Sequence, residues 1–257
     1  MRELELLAEL ERRGLVQGVE HDAAEIDGLV VTQDALVEGV HFRFDLLDWR
    51  ELGHRAAAVN ISDLAASGAE PLALIVTLAA PDLDHAIELY EGIAEAGVPV
   101  RGGDTTRAPQ VVLSVTALGR SERVPGRAGA QPGDVVVVTG PLGAAAAAFR
   151  AGRLVRPPRR VDEGKRLAAV ATAMCDISDG VGVDAGHIAA RSGVRIVLDV
   201  DAIPLAPGAT VDDLSFGEDY ELLATTRDPL GFPVVGRVEK GSGVEPPLGG
   251  WEHFVEP

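Results

Sequence analysis

Cysteine is nearly missing from this chain of 257 residues. Cys175 stands alone, which excludes an intramolecular disulfide and a thiolate-based zinc site and suits a reducing compartment, so cytoplasm is the expected address. Aromatic residues amount to 4%, too few for the stacking platforms of single-strand nucleic-acid binders. Positive charge is scarce: Lys+Arg 23 against Asp+Glu 40 leaves a formal balance of −17. That field repels phosphate backbones and anionic lipid surfaces, so no nucleic acid and no membrane is expected as partner, and cations are the natural counterparts. Long apolar runs are also lacking. Alanines 144–148 fall far short of the roughly 20 residues that cross a bilayer. The opening MRELELLAELERR alternates charge with Leu and has no uninterrupted apolar core of a signal peptide, so it is expected to stay on the protein.

What is present is ordinary globular material, 46% hydrophobic and 25% charged, enough for one or two domains of roughly 100 to 200 residues. Apolar periodicity predicts a helix near 2–13, a strand at 28–33, a helix over 49–67 and a strand over 72–78. A helix capped by Asp82 and running to Ala96, then a strand over 111–118, complete the first half. The segment GRSERVPGRAGAQPGD (119–134) is rich in Gly, Pro and charge, which places a junction there and divides the chain into 1–125 and 126–257. Beyond it, strands at 135–138, 195–200, 221–225 and 234–238, a strand ending at Asp176, and helices after Gly140, over 161–173 and from about Ser178 predict an α+β half. No fixed-period repeat is visible.

Several aspartates sit in short Gly-, Ser- or Thr-rich segments at the ends of apolar runs: His21-Asp22-Ala23, Thr32-Gln33-Asp34, Asn60-Ile61-Ser62-Asp63, Gly102 to Arg107, and Asp176 to Gly180. Each alone is accounted for by helix capping or turn formation. Five in one chain also suit a ligand site, because open α/β sheets place ligand groups at strand ends and helix starts. Carboxylates that converge need a hard cation between them, and an oxygen-rich, histidine-poor set suits Mg²⁺ with a phosphoanhydride substrate. The chain has no G-x-x-x-x-G-K-[ST] and no H-R-D or D-F-G set, so P-loop and protein-kinase architectures are excluded. Thr139-Gly140-Pro141-Leu142-Gly143-Ala144 could offer amides to an anion, but a tight turn explains it at least as well. Arg107 and Arg127 stand in loop or Gly-rich contexts within reach of a phosphate, while most other arginines read as solvated helix faces.

In order along the chain stand D-A-L-V-E-G-V-H-F (34–42), N-I-S-D-L-A-A-S-G-A (60–69), G-G-D-T-T-R (102–107), D-I-S-D-G (176–180) and G-E-D-Y-E-L (217–222). Together they closely resemble the thiamine-monophosphate kinase family, related to formylglycinamidine cyclo-ligase, selenophosphate synthetase and a hydrogenase-maturation protein. The resemblance spans nearly the whole chain. It implies a phosphotransferase with a phosphate group as acceptor, ATP as co-substrate, several Mg²⁺ ions, and conversion of thiamine monophosphate to thiamine diphosphate. The implied fold is a two-domain α/β (α+β) chain: an N-terminal sheet-and-helix domain that forms a homodimer, with ATP in a cleft near the interface, and a C-terminal α+β, sandwich-like domain. By the same resemblance Asp22, Thr32, Asp34, Asp63, Asp104, Asp176 and Asp179 fall on Mg²⁺-binding positions. Gly103, Asp104, Arg127 and Ser178 fall on nucleotide-binding ones, and His41, Glu218 and Trp251 on positions that hold the thiamine phosphate.

Elementary chemistry agrees with those implications. A phosphomonoester with a second pKa of about 6 is largely dianionic at neutral pH, so no general base is expected. The obstacle is anion–anion repulsion, which in-line positioning and cationic neutralisation address. A cationic thiazolium would suit Glu218 and a stacking Trp251, although a turn carboxylate and a C-terminal hydrophobic plug fit these residues as well, and His41 fits a packed imidazole. Two positions depart from the family pattern: Glu20-His21-Asp22 replaces Gly-Asp-Asp, and Thr32-Gln33-Asp34 replaces Ser/Thr-Thr-Asp. One carboxylate and one hydroxyl are thereby lost, with Glu20 as a possible replacement. The alternatives are a member that binds nucleotide or thiamine phosphate without turnover, or a related ATP-dependent enzyme with another small acceptor.

Overall fold

Alternation of apolar and polar residues lets three segments bury one face each as strands: β2 (Leu29–Val37), β3 (Glu70–Ala80) and β5 (Val112–Arg120). The short β1 (Ala24–Ile26) and the exposed β4 (Val100–Arg107) flank them. These coordinates come from a computed structural model that describes residues 3–17 and 21–251, so Glu20 lies outside the described residues. The sheet runs β1-β2-β5-β3-β4, antiparallel except for the β3–β4 pair. Val30, Thr32 and Leu36, Leu74, Val76 and Leu78, and Leu113, Val115 and Ala117 are buried on its inner face. The opposite face leaves Gln33, Ala35 and Ile75 exposed and Ser114, Thr116 and Leu118 half-buried.

The inner face is covered by α2 (Trp49–Ala66), which starts where the Asp48 carboxylate accepts the Glu51 amide at 2.8 Å. Residues are buried all around α2 because it is enclosed by the sheet, α3 (Ala86–Glu95), α5 (Val161–Ala168) and β7 (Ala171–Asp176). Its crossing with α3 requires glycine on both sides. A Cβ on Gly53 would lie 2.0 Å from the Leu89 carbonyl oxygen, and one on Gly92 would lie 1.9 Å from that of Arg50. Yet α2 also buries Arg55, Asn60 and Ser62. Polar groups on such a helix are costly unless they are partnered, so they mark where to look for function.

The second half forms a six-stranded sheet in the order β11-β8-β10-β6-β9-β7. Besides β7 it comprises β6 (Val135–Val138), β8 (Arg195–Leu198), β9 (Leu222–Thr226), β10 (Val234–Glu239) and β11 (Gly243–Glu245). Val138, Ile177, Ile188 and Ile196 join this sheet to α6 (Val181–Ser192), and α4 (Ala144–Arg150) follows β6. The first core reaches across to Met174, Leu222 and Ala224 of the second sheet. The architecture is thus the expected mixed α/β one, with two sheets from successive halves of the chain. The amphipathic α1 (Glu3–Arg12) precedes it, and no described helix is long and apolar enough to cross a membrane.

Three local expectations change. The helix expected from Asp82 begins at Ala86, because Asp82 accepts the Asp84 amide at 3.2 Å and closes a turn instead. The helix expected over 161–173 ends at Ala168, since the apolar run that follows is claimed by β7. G-G-D-T-T-R, to which the sequence pattern assigns no strand, is the edge strand β4, where pairing with β3 overrides the poor strand propensity of its glycines.

Candidate active site

Four joints carry the acidic motifs to one cavity. The inner face of β2 presents Thr32 and Asp34, and α2 lays Asp63 across them. At the end of β7 stands Asp176, from which the chain passes through Ser178 and Asp179 into α6. Ahead of β1 comes Asp22, bound to Arg127 from the connection between the two sheets. Thr32 Oγ1 donates to Asp63 Oδ2 at 2.6 Å and lies 3.2 Å from the backbone oxygen of Asp22. Asn60 Oδ1 accepts the Asp34 amide at 3.1 Å while its Nδ2 donates to the Ala56 carbonyl at 2.9 Å. Ser62 Oγ donates to Asp176 Oδ2 at 2.5 Å. These hydrogen bonds aim the carboxylates into a cavity of about 1260 Å³. Single-ligand pockets occupy roughly 300–1,000 Å³, so two substrates can be held side by side.

The electrostatics of this cavity are strained. Burial, followed by repulsion from Asp34, Asp176 and Asp22, pushes the Asp63 carboxyl well above the usual carboxylate range. Burial and then the Asp22 charge push Asp176 up to about 8, against the pull of the Ser62 hydrogen bond. Asp22 and Asp34 are raised too, in both cases chiefly by burial. Burial opposes the charge on Arg127, but the neighbouring Asp22 and Asp176 outweigh it and hold the guanidinium pKa above its ordinary value. One guanidinium does not neutralise four carboxyls, and an all-oxygen donor set whose members resist ionisation together fits a hard divalent cation. Among the described residues, the group of three donors whose ligand atoms all lie within 4.8 Å of one another is Asp179, Asp184 and His187. Asp184 is buried and accepts the Asp179 amide at 3.2 Å. His187 is pushed down to about 4 by burial and the nearby Arg127 and Arg191, which leaves a neutral imidazole. Sequence reasoning picked Asp179 and missed these two partners, although their spacing of five and eight residues along one helix start was available.

At the other end of the cavity stand His41, Glu218 and Trp251. His41 Nδ1 accepts the Val37 amide at 3.0 Å, which places the ring proton on Nε2. Trp251 is 54% exposed and its amide donates to the Asp179 carbonyl at 2.8 Å, an arrangement at odds with a buried C-terminal plug. Glu218 (φ 62) and Tyr220 (φ 52) adopt left-handed backbone conformations, unusual for such side chains and often found at binding sites. They are held there by the D-I-S-D-G segment: the Glu218 amide donates to the Ser178 carbonyl at 2.8 Å, and the Tyr220 amide to that of Ile177 at 2.9 Å. The Glu218 carboxylate pairs with Arg55, a buried α2 residue. Arg55 is an exception to the expectation that most arginines outside the loops lie on solvated helix faces. Phe149 and Phe216, with ring centroids 5.5 Å apart and exposed surface, form part of the wall; no spacing in the sequence signalled them.

Gly103 and Asp104 are not brought to this cavity within one chain. Asp104 pairs in register with Thr77, Thr77 with Ser114, and Ser114 with Ala35, so Asp104 shares the outer face of the sheet. Asp34 lies three strands away, roughly 14 Å at the usual strand spacing, on the inner face. Gln33 borders the cavity, but its side-chain amide turns to the outer face, where it donates to Ser114 Oγ at 3.1 Å and accepts from Thr116 Oγ1 at 3.3 Å. The lost hydroxyl at position 33 is therefore a change on the outer face. His21 does line the cavity, with a buried Nδ1 that has no partner among the described residues. Arg107 is exposed at the end of β4. The amides of Gly143 and Ala145 are taken by the Asp219 carboxylate at 2.7 and 3.3 Å, so the Gly140–Gly143 turn binds the protein's own anion.

Comparison with known proteins agrees with the fold and the site. The family model for the AIR synthase related protein, N-terminal domain, matches residues 20–121, and that for the C-terminal domain matches residues 131–244. The chain is 34% identical to the thiamine-monophosphate kinase of Pyrococcus horikoshii, across 88% of this chain and 86% of that protein. It is 32% identical to the enzyme of the same name from Aquifex aeolicus, across 88% of each. A solved structure of AaThiL complexed with AMPPCP and TMP superposes with a TM-score of 0.89 at 31% identity, over 98% of this chain and 97% of that one. With four of its five ordered motifs gathered around one acidic cavity and such relatives along most of its length, the chain belongs to the thiamine-monophosphate kinase family.

Proposed function

We propose that this protein transfers the γ-phosphoryl group of ATP to the phosphate of thiamine monophosphate, giving ADP and thiamine diphosphate. The observation that carries this reading is the convergence of Asp22, Asp34, Asp63 and Asp176 in a cavity with room for two ligands. The similar AaThiL was solved with an ATP analogue and TMP, which supports the same pair of ligands here. A binder without turnover is the weaker reading, since Gln33 lies outside the acidic cluster and the cluster keeps its other carboxylates.

Asp22, Thr32, Asp34, Asp63, Asp176 and Asp179 would hold several Mg²⁺ ions, which supply neutralisation of the phosphoryl oxygens and polarise the transferred group. Thr32, Ser62 and Asn60 orient the carboxylates and the backbone at Asp34, so that the cavity is preorganised for the charge it receives. Arg127 and Ser178 line the cavity, where they would contact the nucleotide. At the far end, Glu218 and Trp251 attract the cationic thiazolium, and His41 can donate from Nε2. Because the acceptor oxygen is already anionic, no side chain need act as general base.

The outer sheet face, with exposed Ile75 and Ala35, suits a homodimer, and such pairing would bring Gly103 and Asp104 to the seam between two copies. On this reading 1–125 is the dimerising, ATP- and Mg²⁺-binding domain and 126–257 completes the substrate end; the expected cytoplasmic location stands as part of the same proposal. Incubation with ATP, Mg²⁺ and either thiamine monophosphate or thiamine, followed by chromatography, tests the reaction. Diphosphate formed from the monophosphate is expected. Product from thiamine alone, or ATP hydrolysis without transfer, would overturn it.

A further inference from the structure

Arg55 is 5% exposed, yet it lines the cavity. A guanidinium carries five N–H donors. In the structure one nitrogen pairs with Glu218, another lies 3.4 Å from the Val155 carbonyl, and Nε has no partner among the described residues. The group also stands 5.9 Å from the centroid of the Tyr220 ring, which fixes its position over the substrate end. Arg55, Val59 and Asp63 all face the cavity and follow one another at intervals of four residues along α2. Two such intervals set the cation about 12 Å along the helix axis from the start of the Asp63 side chain. A rigid, enclosed helix therefore sets a cation at one end of the cavity wall and the acidic cluster at the other.

We infer that Arg55 is the ligand of the acceptor's phosphate group, and that Glu218 occupies it only until that phosphate arrives. This inference rests on the reading of thiamine monophosphate as acceptor and adds to it a selectivity device. A phosphate dianion competes with the Glu218 carboxylate for the planar fork of Arg55, where it can be held by two parallel hydrogen bonds. Glu218, once displaced, is released toward the thiazolium cation of the same molecule. Thiamine without its phosphate lacks the anion that frees Glu218, so its ring must compete with Arg55. One exchange of ion pairs thus makes the phosphate a condition for tight binding of the ring.

Calorimetric titration of the wild-type protein and of Arg55→Gln with thiamine monophosphate, thiamine and AMPPCP tests this directly. Arg55→Gln is expected to weaken thiamine monophosphate about tenfold or more. Thiamine binding is expected to stay level or tighten, and AMPPCP to be unaffected. Arg55→Lys, which keeps the charge and loses the fork, should fall between. Equal losses for thiamine and its monophosphate would assign Arg55 a structural role and overturn the inference, as would a loss confined to AMPPCP or no change in any affinity. The double variant Arg55→Gln/Glu218→Gln, which leaves no unpaired carboxylate, repeats the comparison if the single variant melts early. A wild-type protein that binds no thiamine monophosphate would instead strike at the proposed function itself.

Discussion

Two populations of carboxylates in this molecule obey opposite rules. On the surface, Glu9, Glu95 and Glu239 each meet two arginines, and those hydrogen bonds lower their pKa values. In the cavity, burial raises Asp22, Asp34, Asp63 and Asp176, repulsion from neighbouring carboxylates adds to the rise at Asp34, Asp63 and Asp176, and Arg127 pulls back at Asp22 and Asp176. Arginine was available to the fold, since Arg50, Arg156, Arg195 and Arg237 are all spent on surface pairs. Only a small part of the −17 excess is held where screening is poorest, and there it meets few cations; the larger part lies on solvated surface. An arrangement that costs folding energy locally is the mark of a site completed by a ligand.

The sharpest way to break this contrast is to remove one cavity charge. Asp63→Asn and Asp176→Asn should each lower kcat about 100-fold or more, the scale of losing one element of charge stabilisation. The metal-free Tm should hold or rise, because a repulsive neighbour is gone. Loss of both activity and fold would make these residues structural. Asp104→Asn comes next: if the outer face pairs two copies, turnover should fall about tenfold or more, with sedimentation still reporting the dimer. Near wild-type turnover would remove Asp104 from the site.

A pH scan of the metal-free protein has a smaller effect with a definite sign. A carboxyl whose folded pKa exceeds its unfolded value binds more protons when folded. Its stabilising contribution is complete below the ordinary value of 3.8 and is lost as pH rises through the folded value, about 8 for Asp176. The Tm should therefore decline between pH 5 and pH 8.5 by way of these groups, and Mg²⁺ with AMPPCP should restore it most at the upper end. A Tm insensitive to both would contradict the electrostatic description. Smallest of all, Glu239→Gln on the surface should keep turnover within twofold and shift Tm by no more than about 2 °C.

Much of this was legible in the sequence, for identifiable reasons. Asp63 and Asp176 were found because short oxygen-bearing residues beside strand ends and helix starts leave a local pattern. The α2 helix and the strands β2, β3 and β5 were found because their apolar periods are clean. β4 was not, since its Gly102-Gly103-Asp104 has little strand propensity and only β3 makes it a strand. That Asp104 and Asp34 lie on opposite faces follows from register, which no local segment encodes. Arg55 escaped because a helical arginine looks the same buried or solvated until its neighbours are known. Its pairing with Glu218 joins residues 163 positions apart.

The most direct test of the acidic cavity as a cation-dependent nucleotide site is a calorimetric titration of Mg²⁺ into the protein saturated with AMPPCP. Run in two buffers of different ionisation heat near pH 7.5, it also counts protons. Binding of several ions per chain with net proton release is expected, because carboxyls with raised pKa values must ionise to take a metal. Asp63→Asn should release fewer protons. Absence of Mg²⁺ binding by the folded, nucleotide-loaded protein, or binding that Asp63→Asn leaves unchanged, would contradict the assignment.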